Sequence, residues 1–218
     1  MKRPSVLTLT GPSCSGKTTL AGKVVAALPF QFAMLRSFTT RDPRPGEVDG
    51  REYDFISAEE AAELMMNDQV VQHVEFKGAM YGTTVAQLEE LMDAGRIGIT
   101  VVEPSGVEQF RRAASQFDFN YAAIYVGGKS TTLLERWFDR IEAEIDRCNG
   151  DPDALLSKLA YLRVRMVAGL TEELTWDTAA QYDFQIASFS EANHFSATGF
   201  VTDIGLQLSR DEAKAGAA

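Results

Sequence analysis

The stretch GPSCSGKT, Gly11 to Thr18, sets a glycine, four free positions, then glycine, lysine and a hydroxyl residue. A β-branched apolar run, Val6 to Thr10, precedes it and a helix-like stretch, Thr18 to Leu28, follows. That context makes it a phosphate loop rather than a chance glycine turn. Backbone N–H groups of such a loop face inward as an anion nest, and Lys17 adds a point charge at the β and γ phosphates of a nucleoside triphosphate. Thr18 offers a hydroxyl to a magnesium ion. Cys14 sits among these groups, where Lys17 would favour its thiolate; the plainer reading is a small residue filling the loop.

A second stretch, SFTTRDPRPGEVDGREY (37 to 53), carries Arg41 and Arg44 in a proline-broken loop that ends on Tyr53. The planar fork of arginine suits a phosphate better than the point charge of lysine does. The loop can set both arginines on one anion, with the tyrosine hydroxyl beside them. A phosphate loop and a separate two-arginine site suggest a donor and an acceptor phosphate. The competing reading is a solvated loop in which the arginines pair with Asp42, Glu47 and Asp49.

The elements that must hold these groups alternate. Ile97 to Val102, Tyr121 to Val126 and Asp183 to Ala187 read as further buried strands separated by helical pattern, which predicts an α/β fold built on a parallel sheet. Between them lie two excursions. Residues 37 to 84 mix short strand-like pieces (Tyr53 to Ile56, Val70 to Phe76) with a helix opened by Ser57, whose Glu60 completes a capping-box spacing. Residues 130 to 176 are helical and charged, broken at CNGDP (148 to 152). The expected division is a core of 1–36, 85–129 and 177–208, an inserted lobe 37–84, a helical lid 130–176 and a frayed tail 209–218.

Composition narrows the setting. The chain has 218 residues, 45% of them hydrophobic, enough for one substantial core with lobes, and a formal net charge of −10. Neither a nucleic-acid backbone nor an anionic lipid surface attracts such a protein, so no stable nucleic acid and no membrane partner is expected. No run approaches the roughly 18 apolar residues of a membrane span, and no cleavable leader is read at the start. Two cysteines, Cys14 and Cys148, are too few for a disulfide framework and fit a reducing cytoplasm. His73 and His194 have no partners at metal-ligand spacing. Phe30, Phe32, Phe38 and the Met65–Met66 pair read as packing, and Glu142, Glu144 and Asp146 as a solvated face.

On these motifs the chain resembles the guanylate kinases. GPSCSGKTT stands where that family has GPSGSGKST, SFTTRDPRPGEVDGREY matches its S-x-T-T-R-x-P-R-x-G-E-x-x-G-x-x-Y, and EFKGAMYGT (75 to 83) its E-x-G-x-x-Y-G-T turn. The match is close over about the first 110 residues and looser beyond, where LLERWFDR and LRVRM echo the family lid. The resemblance implies a P-loop kinase core with a nucleoside-monophosphate lobe and a lid. It implies ATP contacts at Gly11, Ser13, Cys14, Ser15, Gly16, Lys17, Thr18 and Thr19, with Thr18 at the metal. The acceptor phosphate falls to Arg41, Arg44, Tyr53 and Tyr81, and the base to Ser37, Gln72, Thr83 and Glu103. Arg136, Arg140 and, across an apparent insertion near 141 to 155, Arg165 would join Lys17 and Arg41 in stabilising the transferring phosphoryl group.

Three positions depart from the family pattern. Gln72 replaces a glutamate that would accept from two guanine donors; an amide accepts with its oxygen only. Val101 in ITVVEPSG replaces the first of two aspartates, with Glu103 in the place of the second. Ile186 to Ser188 replace a polar asparagine-aspartate pair beside the donor base.

The expected activity is therefore transfer of the ATP γ-phosphate, with Mg2+, to a (deoxy)nucleoside monophosphate, GMP or dGMP first, by a cytoplasmic monomer or homodimer. A kinase re-specified for a non-guanine or modified nucleotide is the alternative within that class. From other classes come an inactive guanylate-kinase-like module that binds phosphopeptides, and a kinase acting on a base or sugar within DNA. The first would need neither Lys17 nor Thr18, and the second wants a basic channel that an acidic chain does not advertise.

Overall fold

Strand β1 (Ser5–Thr10) is buried along its whole length because it lies at the centre of a sheet covered on both faces. Leu7 and Leu9 point to one side, against Leu20, Ala21 and Val24 of helix α1 (Lys17–Ala27). Val6 points to the other. The computed structural model describes residues 3–44, 46–76, 78–190 and 192–210.

The chain continues through β2 (Phe32–Met34), β3 (Phe38–Thr39), β4 (Asp54–Phe55), α2 (Ala58–Met66), β5 (Val70–Phe76), β6 (Ala79–Thr84), α3 (Val85–Asp93) and β7 (Ile97–Val101). It then forms α4 (Pro104–Gln116), β8 (Asn120–Val126), α5 (Ser130–Arg147), α6 (Pro152–Thr171), one 3-10 turn (Glu173–Thr175), β9 (Phe184–Ile186) and α7 (His194–Arg210). Five strands make a parallel sheet in the order β2-β7-β1-β8-β9, with Ser5 opposite both Ile97 and Asn120. Helices α1 and α7 cover one face through Val24, Val201 and Ile204; α3 and α4 cover the other through Leu88, Leu91 and Phe110.

The first excursion carries a four-stranded sheet in the order β4-β3-β6-β5, whose β5 packs on α4 of the core. Helix α2 opens as expected: Ser57 Oγ accepts from Glu60 N–H and the Glu60 carboxylate accepts from Ser57 N–H. Thr84 and Gln87 repeat the device at α3. The second excursion is the helical hairpin α5–α6, turned at Asn149 and Gly150, both in the left-handed region.

Several packing expectations need correction. Phe32 and Phe38 are buried, but Phe30 is 90% exposed on the turn before β2, and Met66 is exposed at the end of α2, which rests on the small sheet through Ala61. Glu144 is not a solvated residue: its side chain is 14% exposed and bridges Lys158 across the hairpin and Arg147 along its own helix, each at 3.0 Å. Ser209 and Arg210, assigned above to the tail, extend α7 by a last half turn. Residues 211–218 lie outside the described residues.

Candidate active site

The phosphate loop leaves β1 at Gly11, whose φ of 149° and closeness to the Val126 carbonyl leave no room for a side chain. It enters α1 at Gly16, φ 92°, where a Cβ would meet the Phe189 ring at 2.5 Å. Between them the chain turns on a Ser15 N–H to Pro12 carbonyl bond of 3.1 Å, and Cys14 takes φ 67°, a left-handed conformation that costs a β-carbon residue about 1–2 kcal/mol. The residue types at both ends are thus dictated by the backbone path.

Lys17 is the first helical residue and folds back over the loop, donating to the Pro12 carbonyl at 2.7 Å. Burial pushes its ammonium down to about 8, and the anion that opposes this most is Glu173. Cys14 follows the plainer reading, a small residue filling the loop. Burial raises its thiol and outweighs the opposing Arg140, Lys17 and Arg136, so the thiolate is not favoured. Thr18 and Thr19 lie exposed on the first turn of α1.

One cleft of about 370 Å³ is lined by Gly11, Ser13 and Lys17 from the loop, by Ser37, Tyr53, Gln72 and Tyr81 from the small sheet, and by Thr100, Val101 and Glu103 at the end of β7. Arg165, Glu173 and Trp176 close it from the hairpin side. Gln72, Val74 and Phe76 face it because alternate residues of β5 share one face. Gln72 is 7% exposed. Thr83, fully buried, stands opposite it on β6. Glu103 caps α4 and accepts from Ser105 Oγ at 2.9 Å, while Val101 brings no carboxylate to the cleft wall.

A second cavity, about 650 Å³, joins Arg41, Arg44 and Tyr81 to Arg140, Lys158 and Tyr161 of the hairpin. Arg41 is held by Glu47 through a bidentate pair of 2.6 and 2.7 Å, and Arg44 N–H donates to the same carboxylate at 2.8 Å. That pairing pulls the Glu47 carboxyl down to about 2. The solvated-loop reading is thus realised for the two terminal nitrogens of Arg41. Its Nε is buried without a partner, and the guanidinium lies 5.1 Å over the Tyr53 ring, which itself packs edge-on against Tyr81. Glu47 therefore aims the fork as well as neutralising it.

The hairpin arginines differ in their tasks. Arg136 ties the loop to the turn after β9, donating to the carbonyls of Cys14 at 3.0 Å and Phe189 at 2.5 Å. Arg140 stacks over Trp137 at 5.4 Å, and its charge favours the Cys14 thiolate more than any other cation does without outweighing burial. Arg165 donates to Ser13 Oγ at 2.9 Å. Sequence reasoning missed Glu173 and Trp176, since a glutamate after a long charged helix carries no motif.

The comparisons agree with this geometry. The family model described as Guanylate kinase matches residues 1–157. The guanylate kinase of Geobacter sulfurreducens is 31% identical over 195 residues, spanning 88% of this chain and 86% of that protein. That of Lactobacillus johnsonii is 34% identical over 209 residues, 94% and 97% of the two chains. The crystal structure of guanylate kinase from Anaplasma phagocytophilum superposes with a TM-score of 0.60 at 21% identity, over 96% of this chain and 90% of the other, which speaks for the fold. A loop shaped for a triphosphate, an arginine pair in a second cavity that shares Tyr81 with the cleft of that loop, and relatives alike along almost their whole length lead to one assignment: the chain belongs to the guanylate kinase family and is an ATP-dependent nucleoside monophosphate kinase.

Proposed function

We propose that the acceptor is a 5′-guanylate, GMP or dGMP, and that the two sites divide the reaction. Gly11 to Thr19 hold ATP, Arg41, Arg44, Tyr53 and Tyr81 hold the acceptor phosphate, and Ser37, Gln72, Thr83 and Glu103 read the base. The observation that carries this reading is the single cleft lined both by Lys17 and by Gln72, Ser37 and Tyr81. A phosphopeptide module would have no use for the loop at one end of it.

The step is an in-line exchange. An oxygen of the acceptor phosphate forms a bond to the γ-phosphorus while the bond to the β–γ bridging oxygen breaks and ADP leaves. No general base is needed, because the attacking oxygen is already ionised. Lys17, Arg140 and Arg165 lower the charge on the transferring group, and Arg41 and Arg44 keep the acceptor in line. Residues 37–84 act as the acceptor lobe and 130–176 as a lid whose arginines already lie on the phosphate loop and exclude water.

Magnesium fits the donor set. The Thr18 hydroxyl is exposed at the loop and has no hydrogen-bond partner among the described residues. Among those residues no cluster of three His, Cys, Asp or Glu side chains offers an all-protein site, so the ion would ride on the ATP phosphates. When bound it supplies charge neutralisation at the β and γ phosphates. Two free cysteines support a cytoplasmic setting, and no helix among the described residues is long and apolar enough to cross a membrane.

ADP release from Mg-ATP across a panel of ribo- and deoxynucleoside monophosphates tests the assignment, with GMP or dGMP expected to lead. The Gln72 amide gives a sharper check. One buried donor that guanine cannot satisfy costs about 1–3 kcal/mol, so Gln72→Glu should raise kcat/KM for GMP about tenfold and leave that for ATP unchanged. A lower kcat/KM for GMP in the variant would remove Gln72 from the base site.

A further inference from the structure

Glu173 begins the 3-10 turn after α6 and is 3% exposed, in a part of the molecule otherwise open to solvent. A buried carboxylate persists only where donors replace its water. Its donors here belong to the catalytic machinery. Oε2 accepts from the Ser13 N–H of the phosphate loop at 2.5 Å, and Oε1 lies 3.5 Å from Nη2 of Arg165. The same Nη2 donates to Ser13 Oγ at 2.9 Å, so Ser13, Arg165 and Glu173 close a triangle. Gly169, one turn earlier, lets α6 lie flat on the loop: a Cβ there would come within 3.3 Å of Ser13 Cβ and 3.2 Å of the Trp137 ring.

We propose that Glu173 is a positioning residue for phosphoryl transfer, whose carboxylate registers the Arg165 guanidinium on the phosphate loop at Ser13. The proposal rests on the reading of Arg165 as a contact of the transferring group. Arg165 is 36% exposed and long, so the Ser13 hydroxyl alone leaves its guanidinium several rotamers. A charge-assisted bond from the far side selects one of them. A guanidinium released from that place stabilises the transition state less, and it lets water approach the γ-phosphorus from the hairpin side. Water then takes the phosphoryl group in place of the acceptor oxygen, giving ADP and inorganic phosphate. An amide in place of the carboxylate still accepts from the Ser13 N–H, so the loop that binds ATP keeps its shape.

These roles separate in Glu173→Gln, which still accepts from Ser13 N–H but carries no charge for Arg165. With the full chain, Mg-ATP and GMP, kcat should fall about 10- to 100-fold, the KM for ATP should stay within about twofold, and inorganic phosphate per ADP formed should rise. Because Glu173 acts through Arg165, adding Glu173→Gln to Arg165→Ala should change kcat no further. Additive losses, an unchanged kcat, or a loss expressed mainly as a higher KM for ATP would each overturn the proposal. If the amide variant does not fold, Glu173→Asp keeps the charge one methylene short and should show the same pattern at smaller size; wild-type kinetics in that variant overturn it equally. Wild-type transfer to GMP is the separate control: its absence refutes the acceptor assignment and the positioning role together, whereas its presence leaves the variants alone to judge Glu173.

Discussion

Lys17→Ala should give a folded protein whose turnover with Mg-ATP is lower by about 10³-fold. The loss corresponds to about 4 kcal/mol of transition-state stabilisation, the upper end for one preorganised charge donor at a developing anion. Stability should move the other way. The ammonium is largely buried and burial depresses it, so the folded state carries a charge that it would shed at lower cost than water would. Removing it should hold or raise the melting temperature, as is common where function and stability compete for one group. Initial rates and a thermal melt on the same preparation check both halves. A variant within tenfold of the wild type would mean that the loop backbone alone carries the phosphates.

Arg140→Ala is the second large effect, expected at about 10³-fold on kcat, the lower range for an arginine that meets a transferring phosphoryl group. Its position argues for this. It lines the cavity that holds Arg41, Arg44 and Tyr81, and its charge acts on Cys14 of the phosphate loop, so it stands near both the arginine pair and the loop. The KM for the acceptor should change much less, since Arg41 and Arg44 remain. Arg140→Lys should recover only part of the rate, because an ammonium keeps the charge but not the fork. Equal losses in kcat and in acceptor affinity would assign Arg140 to acceptor binding instead.

The elements that the sequence announced were those with strong local signals. Val6 to Thr10, Ile97 to Val102 and Tyr121 to Val126 became β1, β7 and β8 because continuous apolar runs between turns have few other ways to bury both faces. The Ser57–Glu60 capping box and the break at CNGDP also appeared where spacing put them. The shorter strands were not legible. β2 has three residues and β3 two, and each exists through a neighbour: Phe32 to Met34 through parallel pairing with β7, Phe38 and Thr39 through Gly82 and Tyr81. Gly82 in particular argued for a turn, yet it sits in β6 because the Phe38 ring and the Gln72 carbonyl fill the space of its missing side chain.

The candidate site divides in the same way. Loop and arginine motifs were readable because their residues are adjacent in sequence and each does a local task. Glu173 was not, since it meets Ser13 from 160 residues away. The charge partner of Arg41 was legible only as one of three acids, Asp42, Glu47 and Asp49, and the turn at Gly46 selects Glu47 although Asp42 is nearer along the chain. For Cys14 the nearby cations were visible in sequence and the desolvation that outweighs them was not, so only the structure decides for the plain loop residue over the thiolate.

The α5–α6 hairpin has a thermodynamic consequence of its own. Its two long helices bury only Leu133, Trp137, Leu162 and Gly169, while Leu156, Val164 and Val167 stay exposed. Trp137 and Gly169 pack against each other, and Gly169 also lies against Ser13, so these anchors hold the base of the hairpin, near the phosphate loop. The turn end, by contrast, is held mainly by ion pairs around Glu144. Such pairs contribute about 0–1 kcal/mol each. The free energy of local unfolding should therefore climb steadily from Asn149 toward Trp137, so that the turn end melts and reforms many times for each global unfolding event while Arg136 and Arg165 stay on the phosphate loop.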